Sequence, residues 1–405
     1  MSVLTRSLRR LSAALLTAVF VVACGGSNEN APSPASNPEP RAEGDPRLRV
    51  EVVASGLEHG WEVGFLPDGK ILVPQRPGRL DLLSSGQPGA TVTRVDADFD
   101  DVWVEHETGL MGMLVHPDFA ESRRFTTCQS KLEGGRPVDV RLVTWELSQD
   151  YRSARRVVDP LLAGLPVDDV TGRHAGCRLR LDSDGALLVG TGDSARNNLA
   201  QDRRSLGGKV LRLDLNTGKP WPGNPWFDSE NENERYVLTY GHRNVQGIAI
   251  QPDSNEVFLA EHGPTVDDEV NLLVRGGNYG WAPRGDDSAA AYDESVPMTD
   301  TVRFPDAVRA LWSSGSPTEA ICAVEFLSGK QWRGLDGALV VTALKGRKIL
   351  VMRPTRDGEI GKVSVPRELD GTHGRLRAAQ LGPDGALYLT TSNGRDDKVL
   401  RITPA

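Results

Sequence analysis

Gly382-Pro383-Asp384-Gly385, followed after Ala386 by Leu387-Tyr388-Leu389, is the stretch whose reading decides the fold. Pro-Asp-Gly presets a tight turn, proline fixing one φ and glycine supplying the positive one. The β-rich run after it is a strand, and the apolar run before it is that strand's hairpin partner. The unit, or a relative of it, recurs five times upstream. Phe65-Leu66-Pro67-Asp68-Gly69 precedes Ile71-Leu72-Val73, and His116-Pro117-Asp118-Phe119 follows. Leu181-Asp182-Ser183-Asp184-Gly185 precedes Leu187-Leu188-Val189, and Gln251-Pro252-Asp253 precedes Val257-Phe258-Leu259. Leu335-Asp336-Gly337 stands before Leu339-Val340-Val341. Such turns occur in any all-β protein, but copies spaced roughly 50 to 80 residues apart match the period of propeller blades. Helical periodicity of any length is scarce. The expectation is an all-β, six-bladed β-propeller.

The N-terminus belongs to targeting rather than to the fold. Arg6, Arg9 and Arg10 form a basic start, and Leu11 to Ala23 form an apolar run too short to cross a bilayer as a helix. The run ends Val21-Val22-Ala23-Cys24, which reads as a lipobox whose Cys24 is acylated; an ordinary signal peptide cut near Ala23 is the alternative. Residues 1–23 are then a lipoprotein signal peptide. Residues 24–46, nearly devoid of apolar side chains, are the lipidated cysteine and a disordered tether, and residues 47–405 are the propeller domain. The expected location is exported, lipid-anchored and periplasm-facing, touching membrane only through the anchor. Gly25, where an aspartate would favour retention at an inner membrane, points to the outer one. Losing the three arginines takes the formal charge of -8 three units lower, and an acidic exported body argues against nucleic acid as a partner. Cys128, Cys177 and Cys322 remain for at most one disulfide, and spacing does not say which pair forms. Oligomeric state is not legible.

Three segments place polar groups where strand-and-turn logic does not need them. The first is Thr171-Gly172-Arg173-His174-Ala175-Gly176-Cys177-Arg178-Leu179, with Gly190-Thr191-Gly192-Asp193 after it. A strand and its returning partner can bring His174 and Asp193 together, and a carboxylate that orients a histidine makes it a better general base. A surface histidine is the plainer reading. The second is Tyr240-Gly241-His242-Arg243-Asn244-Val245-Gln246-Gly247, then Glu261-His262-Gly263-Pro264. Carbonyls such as those of Gly263 and Pro264 suit Ca²⁺, and the carboxylates of Asp267-Asp268-Glu269-Val270-Asn271 suit a second, structural one. A solvated acidic loop is the alternative. The third is a late basic set, Lys345 with Arg375 and Arg377, the last two spaced for one face of a strand. Three converging cations suit a ligand with several carboxylates; taken alone, a solvated strand face explains them too.

In order along the chain, these segments and Leu-Gly-Gly-Lys-Val-Leu-Arg-Leu, Asp-Glu-x-Asn and Gly-Gly-Asn-Tyr-Gly-Trp resemble the soluble aldose sugar dehydrogenases that use pyrroloquinoline quinone (PQQ), the glucose/sorbosone dehydrogenase-like family. The resemblance runs from about Val52 to Ile402 and is most specific from Gly241 to Trp281. It implies a six-bladed propeller that oxidises an aldose to its lactone and passes electrons to an external acceptor. It further implies that His174 is the general base, Asp193 its orienting carboxylate, and Arg243 with Asn244 the pair contacting PQQ. By the same resemblance, the Gly263 and Pro264 carbonyls hold a catalytic Ca²⁺. Lys345, Arg375 and Arg377 hold the PQQ carboxylates, and Glu269 with the backbone of Tyr279 holds a second calcium.

The chain departs from the pattern at several places. Glu107 stands where relatives carry a glutamine that contacts PQQ, adding a negative charge near a polyanion. Cys177 and Cys322 stand where glycines are expected, which makes a Cys177–Cys322 bridge the pairing to test. Val245 replaces a proline, which would loosen the turn after Asn244, and residues 314–322 align poorly. These departures keep a second class open, a catalytically inactive propeller that binds a sugar or partner protein at the same face. A lactone hydrolase is a third, disfavoured because a neutral lactone needs no trio of cations. Residues 286–301 are expected to form a loop over the open face.

Overall fold

The computed structural model describes residues 39–40, 44–285, 291–355 and 358–405. The signal peptide, Cys24, most of the tether and residues 286–290 of the expected loop lie outside the described residues. The strands form six sheets. Blade 1 runs Gly64–Phe65, Ile71–Gln75, Arg79–Leu83, Val92–Val95, and blade 2 runs Leu110–Val115, Arg124–Glu133, Arg136–Leu147, Ala154–Leu165. Blade 3 comprises Arg178–Leu181, Leu187–Gly190, Lys209–Leu213 and Val237–Tyr240; blade 4, Val245–Ile250, Val257–Glu261, Glu269–Leu272 and Trp312–Ser313. Blade 5 comprises Ile321–Phe326, Leu339–Ala343, Lys348–Pro354 and Ile360–Val365, with Glu39–Pro40 added in parallel at its outer edge. Blade 6 takes Leu376–Leu381, Leu387–Thr391 and Asp397–Pro404 from the C-terminus and Leu48–Leu57 from the N-terminal side. Register in that last pair runs from Leu48 opposite Pro404 to Leu57 opposite Asp397, so the two ends of the propeller are hydrogen-bonded into one sheet. The fold is the expected all-β, six-bladed propeller.

Each of the six turn motifs lies between the first and second strand of a blade. Where glycine is present the turn uses it: φ is 83° at Gly69, 89° at Gly185 and 72° at Gly385. His116-Pro117-Asp118-Phe119 has none, and there the chain closes through one helical turn, Phe119–Ser122, that buries Phe119. Apolar side chains pack between neighbouring sheets. Met111, Cys128 and Leu142 of blade 2 meet Leu179, Leu187 and Val189 of blade 3, each large side chain contributing about 1.5–3 kcal/mol by leaving water.

The cysteine pairing differs from expectation. The disulfide is Cys128–Cys177, and Cys322 is a buried free thiol. Cys177 turns outward into the apolar layer between blades 2 and 3, where Cys128 lies. Cys322 faces the propeller axis instead, its sulfur 3.4 Å from Gln246 Oε1 and 3.6 Å from Arg377 Nη1. Closing a 49-residue separation by this bridge is worth about 4 kcal/mol in a chain-entropy account. It fastens blade 3 at the residue just before its inner strand, three positions after His174.

Candidate functional site

The loops that lead into the inner strands converge at one mouth of the axis around a cavity of about 450 Å³. His174 sits on the loop before the inner strand of blade 3, with φ of 52°, a left-handed conformation that costs a non-glycine residue. Gly192 makes that conformation possible: a Cβ there would meet the His174 carbonyl oxygen at 1.9 Å. The loop thereby sets the ring against Asp193, with His174 Nδ1 2.7 Å from Asp193 Oδ1.

Asp193 is completely buried and fully engaged. The Trp281 indole N–H and the Tyr292 hydroxyl donate to Oδ2 at 2.7 and 2.6 Å, and the Ala195 N–H donates to Oδ1 at 2.9 Å. Burial by itself would raise this carboxyl, but the charge of His174 and the donated hydrogen bonds outweigh it and hold it below the usual range. With Nδ1 committed, Nε2 is the nitrogen His174 turns to the cavity. Arg243, on the loop before the inner strand of blade 4, donates from Nη1 to the His262 carbonyl at 2.9 Å. Its Nε and Nη2 reach Glu294 Oε1 at 3.2 and 2.7 Å.

Glu107 lies at the floor of the cavity, and every recorded partner is a donor. Asn244 Nδ2 stands 3.1 Å from each carboxylate oxygen, the Ala175 N–H donates at 3.0 Å, and Gln246 Nε2 also donates. Burial pushes this carboxyl up, yet the charges of His262 and His174 and the bond from Ala175 leave it below its ordinary value. Glu107 is therefore an anion the fold has prepared for. Val245 does not loosen its turn: its N–H donates to Thr191 O at 3.4 Å, a bond proline could not make.

The basic trio lines the same cavity. Among the described residues Lys345 Nζ has only the Thr318 hydroxyl, at 3.4 Å, and Arg377 lies 3.8 Å over the Trp61 ring. Among the described residues none of Lys345, Arg375 and Arg377 forms an ion pair. Burial and then neighbouring Arg377 pull Arg375 below the ordinary arginine range. Cations crowded together without carboxylates are costly unless an anion joins them, and this wall fits a ligand carrying several carboxylates.

Gly263 and Pro264 line the same cavity. Asp268 holds their loop, accepting from the Gly263 N–H at 2.9 Å and the Glu319 N–H at 2.7 Å. That carboxylate, a candidate for the second calcium, is thus spent on backbone donors. Glu269 lies outside the cavity, directly across the sheet from Glu261. Burial, then the Glu261 charge, pushes Glu269 up to about 8. Asn271 Oδ1 is buried with no hydrogen-bond partner among the described residues, and the Tyr279 backbone N–H bonds Tyr240 O at 2.9 Å. An elevated carboxyl beside an orphaned amide oxygen fits a cation. Among the described residues no three His, Cys, Asp or Glu side chains gather in metal-ligand fashion, so a metal at either place would lean on carbonyl oxygens.

The structure brings together His174, Asp193, Arg243, Asn244, Glu107, Lys345, Arg375, Arg377, Gly263 and Pro264, and leaves Glu269 and Tyr279 apart. Sequence reasoning missed Tyr292, Glu294 and His262. His262 was inside a quoted motif; Tyr292 and Glu294 carry no local pattern, and only folding returns them to blade 3.

Comparison with known proteins identifies the family. Residues 57–401 match the glucose/sorbosone dehydrogenase family. The aldose sugar dehydrogenase YliI of Escherichia coli K12 is 31% identical over 373 residues, covering 88% of this chain and 93% of that protein. Among solved structures, the PQQ-bound aldose sugar dehydrogenase of Streptomyces coelicolor superposes with a TM-score of 0.70 at 26% identity, covering 89% of this chain and 99% of that one. The apo-form soluble aldose sugar dehydrogenase of E. coli gives 0.73 at 28%, covering 88% and 100%. The chain belongs to the glucose/sorbosone dehydrogenase family of oxidoreductases.

Proposed function

We propose that this protein oxidises an aldose to its lactone at the cavity beside His174, with PQQ and Ca²⁺ bound there, and hands the electrons to an external acceptor. The observation that carries the reading is the pairing, in one cavity, of a histidine held by a buried carboxylate with three cations that form no ion pair among the described residues. When bound, PQQ supplies the two-electron acceptor for the hydride leaving C1, and Ca²⁺ supplies Lewis acidity at the quinone.

The remaining work falls to the chain. Lys345, Arg375 and Arg377 would hold the cofactor's carboxylates, and the Gly263 and Pro264 carbonyls would hold the calcium. Asp193 keeps the Nδ1 proton of His174 in place, leaving Nε2 to accept the proton of the C1 hydroxyl as the hydride departs. Arg243 presents a fixed positive charge toward the region where negative charge develops. Asn244 and Gln246 fix Glu107 so that its charge stays on the floor. Glu269, with the Tyr279 backbone, would take the second calcium. We also place the enzyme outside the cytoplasm, anchored through Cys24.

The test is reconstitution. Titrating PQQ into the protein with and without Ca²⁺, and following dye reduction across aldoses, should give saturable, calcium-dependent turnover. No PQQ binding in either condition would overturn the reading.

A further inference from the structure

Glu294 belongs to none of the roles above, yet it touches two groups that carry them. It follows Tyr292, and both side chains reach the His174–Asp193 pair of blade 3. Arg284 and Asp293 exchange backbone hydrogen bonds of 3.0 Å at the base of its segment, and the Tyr292 hydroxyl fastens it to Asp193. Between those ties Glu294 is directed into the cavity. Oε1 accepts from Arg243 and stands 3.5 Å from His174 Nε2, and the side chain keeps 24% exposure. A carboxylate oxygen therefore lies beside the one ring nitrogen left to meet a substrate hydroxyl.

We propose that Glu294 is a specificity-determining residue that reads the substituent next to the oxidised carbon, accepting a hydrogen bond from a hydroxyl or an ammonium there. The inference rests on the reading above in one respect, that the reacting hydroxyl docks at His174 Nε2. Two acceptors this close suit two neighbouring substituents of one sugar, one donating to Nε2 and the next to the Glu294 carboxylate. A carboxylate accepts from a hydroxyl and attracts an ammonium, whereas a bare methylene offers it nothing and strips its water. The site thus favours an aldose with a donor at C2, an amino sugar above a neutral one and both above a 2-deoxy sugar.

The experiment measures dissociation constants of glucose, 2-deoxyglucose and protonated glucosamine by ligand-observed NMR. Wild type, Glu294→Gln and Glu294→Ala are compared, each with and without PQQ and Ca²⁺. Glu294→Gln keeps an acceptor and loses the charge, so the preference for glucosamine over glucose should fall about fivefold. Glu294→Ala loses both, and the preference for glucose over 2-deoxyglucose should also fall, about tenfold. Preference ratios that stay at wild-type values in both variants overturn the proposal. Shifted ratios in a protein that never takes up PQQ would uphold it while the cofactor reading falls, and no sugar binding by any form would overturn both.

Discussion

Blades 3 and 4 each carry a histidine bonded through Nδ1 to a carboxylate 19 residues later: His174 to Asp193 at 2.7 Å and His242 to Glu261 at 2.8 Å. Each histidine precedes an inner strand, and each carboxylate closes the second strand or lies just past it. The pairs part company at Nε2. His242 is wholly buried, its Nε2 2.9 Å from the Thr239 hydroxyl and its ring stacked on Tyr279 with centroids 4.2 Å apart. His174 turns Nε2 to the cavity. The same spacing on the same scaffold therefore yields one structural pair and one pair equipped for chemistry, and the partner of the second nitrogen distinguishes them.

The sharpest way to break that contrast is to remove each histidine. His174→Ala should cost roughly 10²- to 10⁴-fold in kcat, the usual worth of a positioned base, with thermal unfolding little changed. His242→Ala should do the reverse. Among the described residues it leaves buried Glu261 the Arg243 N–H alone, whereas His174→Ala leaves Asp193 three donors. The loss should be about 3 kcal/mol, and calorimetry should show a clear drop in Tm. A stability loss at His174 equal to that at His242 would erase the distinction.

Asp193→Asn should come next, lowering kcat by about 10²-fold or more because the amide no longer enforces the tautomer that frees Nε2. Tyr292→Phe removes one of the hydrogen bonds on Asp193, so kcat should fall several-fold, about 1 kcal/mol, while PQQ affinity holds. Steady-state kinetics beside a PQQ titration separates these outcomes.

The smallest effect concerns a histidine that, among the described residues, no carboxylate bonds. Burial pushes His116 down to about 4 from 6.5, so the unfolded chain binds the proton more readily than the native one. Stability should therefore decline as pH falls from about 6.5 toward 4 and should be insensitive to this group above that window. His116→Gln should flatten that decline in denaturant midpoints measured across the range.

Much of the architecture was legible because it rests on local chemistry. The turns at Gly69, Gly185 and Gly385 need only a proline or aspartate before a glycine, and they mark the blades directly. The cation trio and the His174 loop were legible through resemblance, since the 19-residue spacing alone fits His242 equally well. What sequence could not carry was direction. Sequence left the cysteine pairing open, with Cys177–Cys322 only a bridge to test; Cys177 faces the layer between blades and Cys322 faces the axis. Tyr292 and Glu294 lie about a hundred positions from His174, so no periodicity announces their return to it. Asp268 looked like a metal ligand by composition; its commitment to the Gly263 and Glu319 N–H groups exists only once the loops are folded.

The most direct test of the central claim is a single turnover. The PQQ- and calcium-loaded protein is mixed with excess aldose without an external acceptor, and the cofactor's absorbance is followed in wild type, His174→Ala and His242→Ala. The account predicts rapid reduction of the cofactor in wild type and in whatever fraction of His242→Ala remains folded, and reduction slowed at least a hundredfold in His174→Ala. Reduction at the wild-type rate in His174→Ala, with cofactor fully bound, would contradict it.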